Sequence, residues 1–116
     1  MSEANWPEFI AQLNRRTSVL RKGAPEVMAG FSALATAAGK DGALSPKIKE
    51  LIALAISITA RCDGCLAYHA KAAHRVGATR EEVIETIGMA LYMGGGPSMI
   101  YGAEALDAFD ALGEGQ

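Results

Sequence analysis

Aromatic residues, long apolar runs and strand patterns are all scarce in this sequence. Aromatic side chains account for only 6% of its 116 residues. The longest apolar run, residues 51–60, is well short of the roughly 20 residues that a membrane-spanning helix needs. Alternating runs of Val, Ile and Thr, which are typical of strands, are nearly absent. We therefore expect neither a membrane-spanning protein nor a β-rich one.

A strong net charge is also lacking. Eleven basic and thirteen acidic residues give a formal net charge of −2, which is unlike the basic excess of proteins that bind nucleic acid or anionic membranes. We expect no secretory leader at the N-terminus. We expect a soluble, cytoplasmic protein with no nucleic-acid partner and no membrane partner.

The residues that are present have the composition of a folded domain. Half of them are apolar and 21% are charged, and the length is that of one domain, which we expect to span residues 1–116. Ala and Gly are abundant. Small residues allow helices to approach closely, but they leave a single subunit with a modest core volume, and this favours an oligomer.

Helical spacing of apolar residues predicts the first half of the fold. Two helices are expected over residues 6–23 and 25–39, separated by the stop signal Gly23. Ser45 followed by Pro46 is typical of a helix start. The third helix is apolar on nearly every side over residues 51–58, which is typical of the centre of a bundle or of a subunit interface.

Three more helices are expected in the second half. One spans residues 65–76 and stops at Gly77. The next begins at a capping box formed by Thr79 and Glu82, and the last follows the break at residues 94–97. The predicted fold class is therefore all-α, a compact bundle of about six helices.

The only two cysteines, Cys62 and Cys65, are three residues apart and precede His69. In a reducing cytoplasm they are not expected to form a purely structural disulfide. At a helix N-terminus, free N–H groups and the helix dipole stabilise a thiolate, the reactive form of cysteine. His69 follows Cys65 by four residues, so it shares a helix face with that cysteine and can take its proton.

Three interpretations of this group compete. The cysteines can simply be buried and packed. They can hold a metal together with His69 and with Asp63 or His74, although structural zinc usually takes a second ligand pair from a distant segment. They can also form a redox dithiol with its own base, which is the interpretation we favour. We expect no metal and no cofactor.

The roles of two further residues, His74 and Glu50, also have to be considered. His74 lies about 140° around the helix from His69, and we expect it to be structural or solvated. Glu50 is either a solvated acid in the first turn of its helix or a functional acid. A hairpin folded about Cys62 would place Glu50 opposite residue 74 and not opposite His69, unless the hairpin is bent.

Glu50, followed after eleven residues by Cys62-x-x-Cys65-x-x-x-His69, resembles the signature of the AhpD-like alkylhydroperoxidases of the carboxymuconolactone decarboxylase superfamily. The flanking segments 25–28, 44–54, 77–79 and 93–97 agree, and the resemblance covers roughly residues 25–110. Gly64 stands where the best-known of these enzymes carry a second His. The decarboxylases of the superfamily generally lack the cysteine pair.

The resemblance implies an all-helical subunit in a homotrimer or homohexamer that reduces hydroperoxides with electrons from a dithiol partner such as a dihydrolipoyl protein. It implies that Cys65 is the peroxidatic cysteine and that Cys62 is the outer, resolving one. His69 matches the base that activates Cys65, and Glu50 matches the acid that relays protons to His69. The candidates for an apolar peroxide pocket are Leu66, Tyr68, Met89, Tyr92, Met93 and Met99.

Other functions remain open for the same residues. In thioredoxin-like sites the first cysteine of the pair is the exposed nucleophile, so a general disulfide oxidoreductase would use Cys62 first. A redox sensor would oxidise once and switch its assembly or its partner. A non-catalytic oligomer with a metal site at the cysteines and His69 is the remaining alternative.

Overall fold

Six α-helices make up the computed structural model, which describes residues 5–113. No strand occurs among the described residues. The helices are α1 (Trp6–Gly23), α2 (Pro25–Gly39), α3 (Pro46–Thr59), α4 (Asp63–Arg75), α5 (Arg80–Gly94) and α6 (Gly96–Gly113). The all-α prediction of about six helices is confirmed.

Local capping explains where most of the helices begin. Asn5 accepts a hydrogen bond from the backbone N–H of Glu8 at the start of α1, and Ser45 accepts one from Ile48 at the start of α3. At α5 the Thr79 hydroxyl and the Glu82 carboxylate each accept a backbone N–H, at 3.1 and 2.8 Å. These bonds satisfy N–H groups that have no partner within the helix.

Helix α4 begins two residues earlier than predicted. Its N-cap is Cys62, whose Sγ accepts the backbone N–H of Cys65 at 3.1 Å. Cysteine is not among the usual capping residues, so the sequence pattern did not mark this start. Arg61, just before it, has a φ of 59°, a left-handed conformation that turns the chain from α3 into α4 within three residues.

The core lies where α3, α4, α5 and α6 meet. Leu54, Ile58, Leu66 and Val83 are fully buried there. Small residues line the contact between α4 and α6, including Ala70 on α4, so the two helices can pack closely. Helix α1 is tied to α6 by the buried Trp6, whose Nε1–H donates to Asp107 at 2.8 Å.

Helices α2 and α3 both carry exposed apolar side chains. Helix α2 contributes no buried residue, and its Val27, Phe31 and Leu34 are 72%, 63% and 63% exposed. Helix α3 buries Leu51, Leu54 and Ile58 but leaves a second apolar face open to solvent, made of Ile48, Ile52 and Ile56. Helix α3 is therefore buried on one side only, and it is not enclosed on all sides as a helix at the centre of a bundle would be.

No helix in the described part of the chain is both long enough and apolar enough to cross a membrane.

Candidate active site at the start of helix α4

The two cysteines lie in the turn that opens α4, and they are joined as a disulfide. Their Cα atoms are 5.2 Å apart, within the range that a disulfide bridges without backbone movement. Cys62 is the N-cap and Cys65 lies in the first turn. This placement brings both sulfur atoms to the positive end of the α4 dipole, which favours a thiolate once the bond is reduced.

The exposure of the two cysteines is the reverse of what the resemblance implies. In the single subunit Cys65 is exposed and Cys62 is half-buried. The reason is local: the Cys62 sulfur is turned back onto the helix end to accept the Cys65 N–H. The role of Cys62 as the outer, resolving cysteine stays a prediction.

His69 and Glu50 form the acid–base pair of the site. His69 Nδ1 lies 2.9 Å from Glu50 Oε1. A carboxylate can only accept, so Nδ1 carries the proton and Nε2 of the neutral ring is left as the acceptor. Glu50 is the more buried of the two, with 22% of its side chain exposed against 37% for His69. The arrangement fixes the ring so that Nε2 can receive a proton.

The hairpin argument that separated Glu50 from His69 is wrong. Helix α3 ends at Thr59 and α4 begins at Asp63, so the turn is centred at about residue 61 and the residue opposite Glu50 is about residue 72. The remaining three residues correspond to about 4.5 Å of helix rise. Two long side chains span that distance, and the pair forms without a large bend.

Two cavities meet at this acid–base pair. The first, which we call the α1–α4 cavity, measures about 320 Å³. It is lined by Ile10, Asn14, Glu50, Tyr68, His69, Lys71, Ala72 and Arg75. The second, the α2–α3 cavity, measures about 350 Å³ and is mostly apolar. It is lined by Ala35, Ala38, Gly39, Pro46, Lys49, Glu50, Ala53, His69 and Val76.

The apolar pocket predicted from sequence is largely wrong. Of its candidates, only Tyr68 lines a cavity beside His69. Leu66 is fully buried in the core. The other four candidates are exposed on α5 and α6. They are Met89, Tyr92, Met93 and Met99.

Two neighbouring carboxyl groups, those of Asp63 on α4 and Glu104 on α6, lie near the same turn. Asp63 is the first residue of α4, and its Oδ1 atom is buried with no hydrogen-bond partner among the described residues. Burial raises the pKa of Glu104 on α6 above its ordinary value of 4.5, and the neighbouring Asp63 adds to the rise through its charge and a side-chain hydrogen bond.

The prediction that His74 is structural is confirmed. Its Nε2 contacts the backbone carbonyl of Phe109 at 2.5 Å, and its ring stacks on Phe109 with centroids 3.7 Å apart. Among the described residues no three His, Cys, Asp or Glu side chains are grouped closely enough to hold a metal ion. The metal alternative for the cysteines and His69 therefore gains no support from this arrangement.

The family of the chain follows from comparison with known proteins. The model of the carboxymuconolactone decarboxylase family matches residues 25–108. The chain belongs to this family. A curated relative from Cupriavidus necator is 39% identical over 103 residues, covering 89% of this chain and 91% of the relative. The uncharacterised protein 4 of the cox locus of Paracoccus denitrificans is 33% identical over 112 residues, covering 97% of each chain.

Solved structures of the carboxymuconolactone decarboxylase family share the fold. A family protein from Legionella pneumophila has a TM-score of 0.90 and 48% identity, covering 93% of this chain and 96% of that one. A family protein from Thermotoga maritima has a TM-score of 0.81 and 28% identity, covering 90% of each chain. A part in the antioxidative response has been suggested for the Thermotoga protein. The predicted resemblance is thus confirmed at the level of the family.

The departure at Gly64 has a structural reason. A Cβ atom built at Gly64 would lie 3.2 Å from Cδ1 of Leu13, closer than ordinary van der Waals contact. The Leu13 side chain of α1 would have to shift by a few tenths of an ångström to admit a side chain at this position. The glycine thus lets α1 pack closely against the start of α4.

Proposed function

We propose that this protein is a thiol-dependent peroxidase that reduces organic hydroperoxides through a dithiol–disulfide cycle of Cys62 and Cys65. The observation that carries the proposal is the 2.9 Å contact between Glu50 of α3 and His69 of α4. The start of α4 also holds the two cysteines, which are within bonding distance of each other. A nucleophile, its base and the group that orients the base thus lie on two adjacent helices. This is the arrangement expected of an activated thiol.

The first half of the cycle oxidises one cysteine. Glu50 holds the Nδ1–H of His69, and Nε2 takes the proton of the Cys65 thiol. The Cys65 thiolate attacks the terminal oxygen of ROOH and breaks the O–O bond, which gives a sulfenic acid at Cys65 and an alkoxide. His69 returns its proton to the alkoxide, and ROH leaves.

The second half closes the disulfide and resets it. Cys62 attacks the sulfur of the Cys65 sulfenic acid, and the hydroxyl group leaves with the Cys62 proton as water. One ROOH and two thiols thus yield ROH, water and one disulfide. An external dithiol, for which a dihydrolipoyl protein is our candidate, supplies two electrons and two protons to restore the thiols. Such a cycle requires a reducing compartment such as the cytoplasm.

The opposite order of the cysteines has its own support. The Cys62 sulfur accepts a backbone N–H at the helix end, which stabilises a thiolate at Cys62. Dimedone labelling of the Cys62→Ser and Cys65→Ser variants after peroxide treatment separates the two orders. Label on Cys65 in Cys62→Ser supports our assignment. Label only on Cys62 in Cys65→Ser reverses it and favours a disulfide oxidoreductase that uses Cys62 first.

Steady-state turnover tests the enzyme proposal itself. With dihydrolipoamide as donor, we expect the protein to consume many equivalents of alkyl hydroperoxide per subunit, and we expect Cys65→Ser to abolish the consumption. A single oxidation per subunit would instead identify a redox sensor. Full consumption by Cys65→Ser would end the scheme.

We also propose that the subunit acts within a homotrimer or homohexamer. The support is the exposed apolar surface of α2 and of the outer face of α3, because exposed apolar patches often mark interfaces between proteins.

A further inference from the structure

The α1–α4 cavity carries two positive charges beside the acid–base pair. Lys71 and Arg75 both line it, four residues apart on α4, so they are neighbours on one face of the helix. Like charges at this spacing repel each other slightly. Both side chains are exposed, so water screens this repulsion, and the pair presents two positive charges to an anion that enters the cavity.

Neither cation has an acidic partner among residues 5–113. The ion pairs of the described chain involve Arg15, Lys47, His69 and Arg80, and not these two residues. The one acid in the cavity lining, Glu50, is already bonded to His69. The α2–α3 cavity differs in this respect, because its only cation, Lys49, donates to the carbonyls of Ala38 and Lys40.

Further polar and apolar groups complete the lining. The Tyr68 hydroxyl donates to Asn14 Oδ1 at 2.5 Å, which leaves the amide N–H groups of Asn14 as donors. Ile10 and Ala72 add apolar surface. Donors and cations at one end with apolar contacts beside them suit the carboxylate and the chain of an organic acid.

The cavity lies on the side of α4 that carries Cys65. Tyr68, Ala72 and Arg75 fall within about 80° of Cys65 around the helix axis, whereas Lys71 lies about 120° from it. Arg75 is about 15 Å further along the axis than Cys65, and the side chains of a helix lean towards its N-terminus. The cysteines do not line the cavity, so a ligand held at Lys71 and Arg75 would have to extend beyond it, along α4 towards its N-terminus, to reach Cys65.

We propose that Lys71 and Arg75 form a binding site for the carboxylate of an organic-acid hydroperoxide and so select an acidic substrate of medium chain length. The substrate part of this proposal rests on the peroxidase function proposed above. The carboxylate site itself does not rest on that function, because an organic acid without a hydroperoxide group should bind there as well.

Binding of unreactive ligands tests the site without any peroxide. Calorimetric titration of the disulfide form should show octanoate binding at least tenfold more tightly than octanol. Lys71→Met and Arg75→Met should each weaken octanoate binding about tenfold, the loss expected for one charge-assisted hydrogen bond, whereas Arg75→Lys retains part of it. Lys22→Met, which removes an exposed cation outside the cavity, is the matched control. Equal binding of octanoate and octanol, or octanoate binding that neither substitution weakens, would overturn the site.

Kinetics then test the choice of substrate. The ratio of kcat/KM for a medium-chain hydroperoxy acid to that for its methyl ester should exceed ten in the natural protein and should approach one in Lys71→Met and Arg75→Met. A ratio near one in the natural protein, or a preference for the ester, would overturn the substrate assignment and point to the apolar α2–α3 cavity. If no hydroperoxide is consumed while octanoate binding still depends on Lys71 and Arg75, the carboxylate site stands and the peroxidase proposal fails.

Discussion

At the scale of single residues, the chemistry of the site depends on how Glu50 holds His69. The carboxylate fixes one tautomer of the ring and places the free nitrogen where it can receive a proton. The residue types and the spacing of Cys62, Cys65 and His69 could be interpreted from sequence alone, since they lie within two helix turns. The partner of His69 lies on another helix, so spacing along the chain could not identify it and only the family resemblance did.

Removing the charge of Glu50 tests this role. The Glu50→Gln variant retains a side chain of the same size, but it no longer stabilises the imidazolium that forms when Cys65 loses its proton. We expect kcat/KM for an alkyl hydroperoxide to fall about 10²-fold, at the lower end of what a general base contributes. Glu85→Gln, an exposed acid on α5, is the control and should match the natural protein. Natural activity in Glu50→Gln would remove Glu50 from the mechanism.

The carboxyl pair of Asp63 and Glu104 gives stability a pH dependence. The pKa of Glu104 is raised in the folded protein above its ordinary 4.5, by burial first and by Asp63 second. The folded state thus binds this proton more tightly than the unfolded state does. The free energy of unfolding should therefore fall as pH rises from about 4.5 through the raised pKa, and the loss is complete above it.

Urea unfolding between pH 4 and pH 8 measures this effect. Glu104→Gln keeps a hydrogen-bond donor facing Asp63 at every pH, so we expect its stability to fall less over that range than the stability of the natural protein. Glu81→Gln, at an exposed position of α5, should leave the pH dependence unchanged. Parallel curves for Glu104→Gln and the natural protein would show that the pair does not share a proton.

At the scale of helices, the site depends on where α4 begins and on what packs against its first turn. The starts of α1, α3 and α5 follow from capping residues of the usual kinds, and the sequence analysis identified the caps of α3 and α5. The start of α4 was missed because the cap is a cysteine sulfur. The packing of α1 against the same turn joins residues about fifty positions apart, which no local pattern encodes.

Gly64 is where this packing can be tested. A His at this position would contact Leu13 of α1, because a Cβ atom added at Gly64 would lie 3.2 Å from Leu13 Cδ1. We expect Gly64→His to lower the free energy of unfolding by about 1–3 kcal/mol, which is typical of overpacking. In a Leu13→Ala background the penalty should largely disappear, since the space is then free. An unchanged penalty in that background would show that the cost lies in the backbone of α4 and not in its contact with α1.

At the scale of the whole molecule, the exposed apolar surface is the basis of the proposed assembly. Composition alone favoured an oligomer, and the fold locates the surface, on α2 and the outer face of α3. Sequence could not separate that surface from the core, because both consist of the same apolar residue types at the same helical spacing. The predicted apolar pocket failed for a similar reason, because four of its six candidates are exposed on α5 and α6 and do not line a cavity beside His69.

A charge placed on α2 tests the assembly. Phe31 is 63% exposed in the single subunit, so Phe31→Glu should not disturb the core. We expect light scattering after size exclusion to give three or six times the 12.1 kDa subunit mass for the natural protein and a smaller particle for Phe31→Glu. Lys22→Glu on α1 is the control and should assemble normally. A monomer in the natural protein would contradict the assembly.

The most direct test of the central claim is a thiol count on freshly reduced protein. The count is taken before and after one equivalent of an alkyl hydroperoxide, and again after dihydrolipoamide is added and removed. The dithiol–disulfide cycle of Cys62 and Cys65 predicts the loss of two thiols per subunit with peroxide and their rapid return with the dithiol. Persistence of both thiols in excess peroxide would contradict the peroxidase, and a structural or metal-binding role for the two cysteines would then become the leading explanation.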